Sequence, residues 1–503
     1  MIISINYGET SKKVNAKSLE IVTFNMVEEL LEHVIDYGLK LGANYVEARY
    51  QRDVSDSVAL QNGVPLGCGY SSSFGVSVRV LYRGGLGFAA TNKLTKESIE
   101  SIVNEALQRA EAMSRLRERP ATFSETKVAT VSYEVKAKES PLDVPIDVKL
   151  GELYEVDKTV MSLGVKIPSR SFRISTILTE KVFVNSEGAY VRSKIPRINF
   201  FYMAVIYRAG KGTMTRWSSL GASTGWEELR VWNARDLISE EVKTLDSVLE
   251  KGKAPPKEEV DVILGPEVVG IVVHESCGHP SELDRILGRE GAEAGESYMK
   301  VNMLGERIGT EHVTIIDDPT IPKSYGFYLY DDEGVRARPK YLFKDGVINE
   351  FLMNREYASI LRTESNGSAR ASRFDREPII RMSNTYLAPG DWEFEEMLSE
   401  VRRGVYIKTF SEWNICDRRW NQRYGGLEAY YVENGEVKYP VRNPFIELTT
   451  NGIYSRVVAV GKRVEYVAGM CGKGNPGQGV PVWFGGPHVL LKGVKLSVTP
   501  KGG

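Results

Sequence analysis

The stretch from Val260 to His279 constrains the fold more than any other part of the chain. Val260-Asp261-Val262-Ile263-Leu264 reads as a strand. Gly265-Pro266 turns the chain, and Pro266 suits the first position of a helix, where its missing N–H would have no helical partner anyway. Val268, Val269, Ile271, Val272 and Val273 leave that helix almost no polar face, so a core must surround it. The helix ends in His274, Glu275 and His279. Two imidazoles and a carboxylate at a buried helix end need partners to offset their lost hydration, and a metal ion supplies one.

The spacing of the two histidines is unusual. In the zincin pattern His-Glu-x-x-His, the ligands at i and i+4 lie about 40° apart on a helix of roughly 100° per residue. Here they stand at i and i+5, about 140° apart, and would not converge on a straight helix. Gly278 is permissive, and Pro280 disfavours the α region for His279. The helix is therefore expected to end near Gly278, leaving His279 free to swing back over the last turn. A lone histidine would read as a capping or core residue. Two of the chain's five histidines bracketing Glu275 point instead to a metal site with His274 and His279 as ligands. Glu275 follows the first ligand, where a general base would take a proton from attacking water and pass it to the leaving amine. Glu282 and Asp284 lie just beyond and read as surface carboxylates, with a ligand or imidazole-supporting role as the alternative.

A second constellation is Gly469-Met470-Cys471-Gly472-Lys473-Gly474-Asn475-Pro476-Gly477-Gln478-Gly479. It lacks the residue order of a phosphate loop. Its glycines imply tight backbone or close approach, and a thiolate at Cys471 is able to complete a tetrahedral site; a structural loop with a buried thiol is the other reading. Cys277 is nearer in sequence to the histidines, but it sits among apolar helix residues and reads as core. The four cysteines, Cys68, Cys277, Cys416 and Cys471, are too few and scattered for a disulfide framework.

The rest of the chain reads as α+β. Amphipathic helices are expected over 26–41 and 95–113, the second capped by Thr95. Strands between them alternate around the turns Asn62-Gly63 and Gly84-Gly85. A helix is expected over 145–163, antiparallel hairpins over 170–210 around Asn185-Ser186-Glu187-Gly188, and one long helix over 226–251. Lys253-Ala254-Pro255-Pro256-Lys257 breaks the pattern. The expected organisation is an N-terminal extension (1–20), an N-terminal α/β domain with helices on a sheet (21–254, with a helix-hairpin middle region over 140–254), and a β-rich metallopeptidase domain (257–503). Lys+Arg of 65 against Asp+Glu of 66 gives no electrostatic drive toward nucleic acid or anionic membrane. No run is long and apolar enough to span a bilayer, and the first residues lack signal-peptide character, so a cytoplasmic protein is expected.

Several segments carry a family resemblance: Gly42-Ala43-Asn44-Tyr45-Val46-Glu47-Ala48-Arg49, Gln61-Asn62-Gly63, Gly75-Val76-Ser77-Val78-Arg79-Val80, Tyr330-Asp331-Asp332-Glu333-Gly334-Val335, Arg381-Met382-Ser383-Asn384-Thr385, the His-Glu-x-x-x-His run and the Cys471 loop. Together they resemble the TldD/PmbA family of zinc peptidases, on its metal-bearing TldD branch. The Pro280-Ser281 pair before Glu282 departs from the commoner form. The resemblance implies zinc held by His274, His279 and Cys471, and hydrolysis of extended or unfolded peptides by metal-activated water. It also implies a homodimer or a heterodimer with a TldE/PmbA-like chain. Two other readings compete: a metal-stabilised, non-catalytic regulatory subunit, and a thiol hydrolase pairing Cys471 with a histidine such as His488.

Overall fold

A computed structural model describes residues 16–291 and 295–497, with side chains from residue 25 onward. The extension expected over 1–20 falls largely outside them. The chain mixes helix and strand, with an N-terminal α/β domain and a β-rich C-terminal region. The first elements are α1 (Ala16–Lys40), β1 (Tyr45–Gln61), β2 (Val64–Tyr82), β3 (Gly85–Thr91) and α2 (Lys96–Leu116). Asn62 and Gly63 both take positive φ, the conformation a two-residue hairpin turn requires. Thr95 caps α2 by accepting from the Ser98 N–H at 3.3 Å, and Ile99, Ile102, Val103, Ala106 and Ala110 form its buried face. That face lies directly on β3. A Cβ on Gly85 or Gly87 would overlap the carbonyls of Ala110 and Ala106, so the helix rests on glycine backbone.

Next come β4 (Thr130–Glu134), α3 (Ile146–Met161), β5 (Ser169–Asn185), β6 (Tyr190–Arg208), β7 (Gly212–Ala222), α4 (Glu228–Trp232) and α5 (Ala234–Lys251). The single helix expected over 226–251 is two helices. Asn233 takes a left-handed φ of 43° between them, a conformation Asn tolerates better than most residues. All seven strands form one sheet in the order β3-β2-β1-β5-β6-β4, with β7 on β6. β1 pairs antiparallel with β2 from Tyr45↔Leu81 to Gln61↔Val64, and with β5 from Glu47↔Asn185 to Gln61↔Ser171.

Both faces of the first half of β1 are buried. Val46, Ala48 and Tyr50 join the core beneath α1 and α2. The other face, Glu47, Arg49 and Gln51, meets the C-terminal region. Arg49 donates to the carbonyls of Arg373 and Arg376, and Gln51 to that of Ser372. Arg79 on β2 joins Glu47 at 2.9 Å to the fully buried Glu333 at 2.7 Å.

Residues 252–258 lead into β8 (Glu259–Leu264) and α6 (Pro266–Val273). β8 lies inside a nine-stranded sheet, parallel to Arg403–Ile407 and antiparallel to Val489–Ser497. A second, six-stranded sheet ends in the antiparallel pair Gln478–Gly486 and Glu465–Lys473, with Glu465–Lys473 at its edge. α6 packs against this pair closely enough that a Cβ on Gly270 would lie 2.8 Å from the Gly485 nitrogen. Among the described residues, no helix is long and apolar enough to cross a membrane.

Candidate metal centre

The helix does not end at Gly278; it widens. His274–Gly278 forms a π-helical turn in which the N–H of His279 donates to the carbonyl of His274. His279 keeps helical angles, φ −59° and ψ −45°, and a tight turn over His279–Ser281 follows. A wide turn closes on residue i+5, which brings the i, i+5 histidines onto one face. This replaces the expected swing of His279 past a helix break. Side chains hold the turn: the Ser276 hydroxyl donates to the carbonyl of Val272 at 2.6 Å and the Ser281 hydroxyl to that of Cys277 at 2.7 Å. Pro280 has no N–H for the Ser276 carbonyl four residues earlier, and the Tyr298 hydroxyl donates to that carbonyl at 3.1 Å. A Cβ on Gly278 would overlap the sulfur of the fully buried Met382.

The two imidazoles meet nearly perpendicular, with centroids 4.9 Å apart. Cys471 reaches them from the edge strand, its Sγ 3.4 Å from His279 Nε2. One donor atom from each of His274, His279 and Cys471 lies within 4.8 Å of the others, and all three residues are buried. Arg381 fixes the strand by donating to the carbonyls of Cys471 and Gln478. His274 Nδ1 is buried without a hydrogen-bond partner. Burial pushes the His274 pKa down, with the positive charges of Arg419 and Arg381 adding to it, so the imidazole stays neutral, its ligating form. Burial raises the Cys471 thiol, but His279 and Arg381 outweigh it and bring its pKa to about 7. A neutral imidazole with an orphaned buried nitrogen, a second imidazole and an acidified thiol make a donor set that fits zinc.

Glu275 is buried at the same turn and paired with the guanidinium of Arg419. Burial pushes its carboxyl up, yet His279 and Arg419 hold it below the ordinary value, so it is ionised at neutral pH. Arg419 has a left-handed φ of 61°. Cys277 is fully buried in the core, and burial pushes its thiol well above the ordinary value. Glu282 and Asp284 are not surface carboxylates. Both are buried, Glu282 3.1 Å from His279 Nδ1 and Asp284 bonded through both oxygens to Lys473 at 2.7 Å. Cations placed by folding, Arg285 and Lys473, offset the desolvation that made burial look costly. His279, rather than His488, is the imidazole beside Cys471. His488 hydrogen-bonds the Tyr406 hydroxyl at 3.0 Å, packs on Phe394, and has its pKa lowered to about 4 by burial. Sequence reasoning gave Arg419, Arg381 and Lys473 no role: Arg381 and Lys473 lie in segments singled out for other reasons, and nothing in its local sequence marks Arg419.

Comparison with known proteins identifies the family. Three models of one family match in order: PmbA/TldA metallopeptidase domain 1 over residues 46–110, the central domain over 139–247 and the C-terminal domain over 257–498. The chain belongs to the PmbA/TldA metallopeptidase family. A metalloprotease of Methanocaldococcus jannaschii is 32% identical over 460 residues, covering 91% of this chain and 97% of the relative. A zinc metalloprotease TldD homolog of Saccharolobus solfataricus is 29% identical over 465 residues, covering 91% and 97%. The crystal structure of TldE from Thermococcus kodakarensis shares the fold, with a TM-score of 0.72 at 18% identity, covering 93% of this chain and all of that one.

Proposed function

We propose that this chain is a zinc-dependent peptidase that hydrolyses peptide bonds in unfolded or small peptides, with His274, His279 and Cys471 as zinc ligands and Glu275 as general base. The convergence of those three donors beside an ionised, buried carboxylate carries the reading. Zinc bound there would polarise a peptide carbonyl and acidify water. Glu275 accepts the proton of the attacking water and returns it to the leaving amine. Arg419 holds that carboxylate in place and keeps it ionised. The reading includes a cytoplasmic location and a homodimer or a heterodimer with a TldE-like chain; family membership and the likeness to a TldE structure support the pairing.

The test is Glu275→Gln, which keeps the shape but cannot accept the proton. With zinc content confirmed, hydrolysis of an unfolded peptide should fall about 10²–10⁴-fold. Near-normal turnover would overturn the assigned base. A parent chain that binds zinc yet shows no turnover, alone or with its partner, would favour the non-catalytic regulatory reading.

A further inference from the structure

We propose that Glu282, braced by Lys473, is the positioning residue that sets the metal affinity of this centre. The inference rests on the zinc reading above and extends it to residues that do not touch the metal. Glu282 Oε2 lies 3.1 Å from His279 Nδ1. A carboxylate accepts only, so Nδ1 donates to it, which leaves Nε2, the nitrogen facing Cys471 at 3.4 Å, as the one turned toward a metal. That contact sets which imidazole nitrogen meets the metal beside the thiol. The negative charge also strengthens the imidazole as a ligand.

The carboxylate has little freedom to turn away. Glu282 is fully buried, and the same oxygen accepts from Arg285 Nε at 2.6 Å and lies 3.3 Å from Lys473 Nζ. Main-chain bonds pin both sides of it: Leu352 donates to the Ser281 carbonyl at 2.8 Å, and Leu283 donates to the Leu352 carbonyl at 3.1 Å.

Lys473 ties this support to the third ligand. It stands two residues beyond Cys471 on the same strand, so both side chains leave the same face of the sheet. Its ammonium is bonded to both oxygens of Asp284 at 2.7 Å and to the Ile380 carbonyl at 2.8 Å. The strand that delivers the thiol is therefore clamped to the segment that orients His279. The cluster holds the buried acids Glu282 and Asp284, with Glu290 3.7 Å from Lys473, and the buried bases Arg285 and Lys473. Apolar packing of similar volume would often be as stable or more so. What the charges add here is a fixed direction for His279 and a fixed distance to Cys471.

Zinc affinity of the full-length chain, measured by competition with a chromophoric chelator, tests this. Glu282→Gln keeps an acceptor without the charge, and zinc affinity should fall about 10-fold; Glu282→Leu combined with Lys473→Met removes charge of both signs and should lose about 100-fold. Glu282→Gln binding zinc within about twofold of the parent would overturn the proposal. Nitrogen-15 NMR of His279 in the metal-free parent gives a second reading that needs no variant to fold. A proton on Nδ1, shared with Glu282, is expected, and a ring protonated at Nε2 alone would overturn the proposal. A parent that binds no zinc but shows the Nδ1 proton would sink the zinc reading while leaving the orientation of His279 by Glu282 standing.

Discussion

The main-chain N–H of His279 donates to the carbonyl of His274, so one widened turn of backbone joins the two imidazoles. Without that turn the five-residue spacing would point the rings in different directions. With it, the rings sit edge to face at 4.9 Å and leave the third corner to Cys471.

The ligand assignment predicts a clear split among variants. His274→Ala, His279→Ala and Cys471→Ala should each lose the roughly one zinc per chain expected of a site with two imidazoles and one thiolate. Cys277→Ala should keep it, because that thiol lies in the core with its pKa raised by burial. Elemental analysis of purified variants decides. Zinc kept by Cys471→Ala and lost by Cys277→Ala would reverse the roles of the two cysteines.

The wide turn should be sensitive at Gly278. Its α-carbon faces the sulfur of Met382, which has no solvent to move into. Gly278→Ala should destabilise the fold by about 1–3 kcal/mol through overpacking and weaken zinc binding with it. In a Met382→Ala background, where the sulfur is gone, Gly278→Ala should cost less in both than it does in the parent. Thermal unfolding and zinc titration of the two single variants and the double variant check this; an equal cost in the two backgrounds would mean that the clash lies elsewhere.

Stability should fall steeply in acid. Asp317 is fully buried; burial alone would raise its carboxyl, but Lys340 at 3.0 Å and two hydrogen bonds from Ser383 hold it below the ordinary value. A depressed carboxyl stabilises fully above its unfolded pKa of about 4, and the contribution is lost as pH falls through the folded value. Replacing the pair together, Asp317→Asn with Lys340→Met, should flatten the decline below about pH 4. Urea unfolding across a pH series would show it, and an unchanged acid slope would count against this pair as a source.

Arg79→Met should be costly. It leaves Glu47 and Glu333 buried without their cation. Breaking one side of such a network is worth about 3–5 kcal/mol. Denaturant midpoints of Arg79→Met and of an exposed control, Arg83→Met, should differ clearly; equal midpoints would show that the network contributes little.

Much of the site was legible from local pattern. The apolar run ending in His274, Glu275 and His279 marked a buried helix with polar cargo, and the glycines around Cys471 marked close backbone approach. What the local pattern did not show is carried by distant partners. Glu282 and Asp284 look solvated beside Arg285 in the sequence, and only folding brings Lys473 to them. The widened turn was hidden because Pro280 argues for a break, whereas Tyr298 satisfies the carbonyl that Pro280 leaves open. The alternation in β1 was readable, but its polar positions are buried as well, because Glu47, Arg49 and Gln51 meet a second region of the chain.

β1 is zipped to β5 along almost its whole length, from Glu47↔Asn185 to Gln61↔Ser171, although the family models place these strands in separate segments. The border between those segments is therefore no natural place to cut. A gene fragment stopping after α2 would present β1 with one long flank stripped of its neighbour. Bare strand edges recruit other strands, so such a fragment should come out of cells as aggregate rather than as a small folded module.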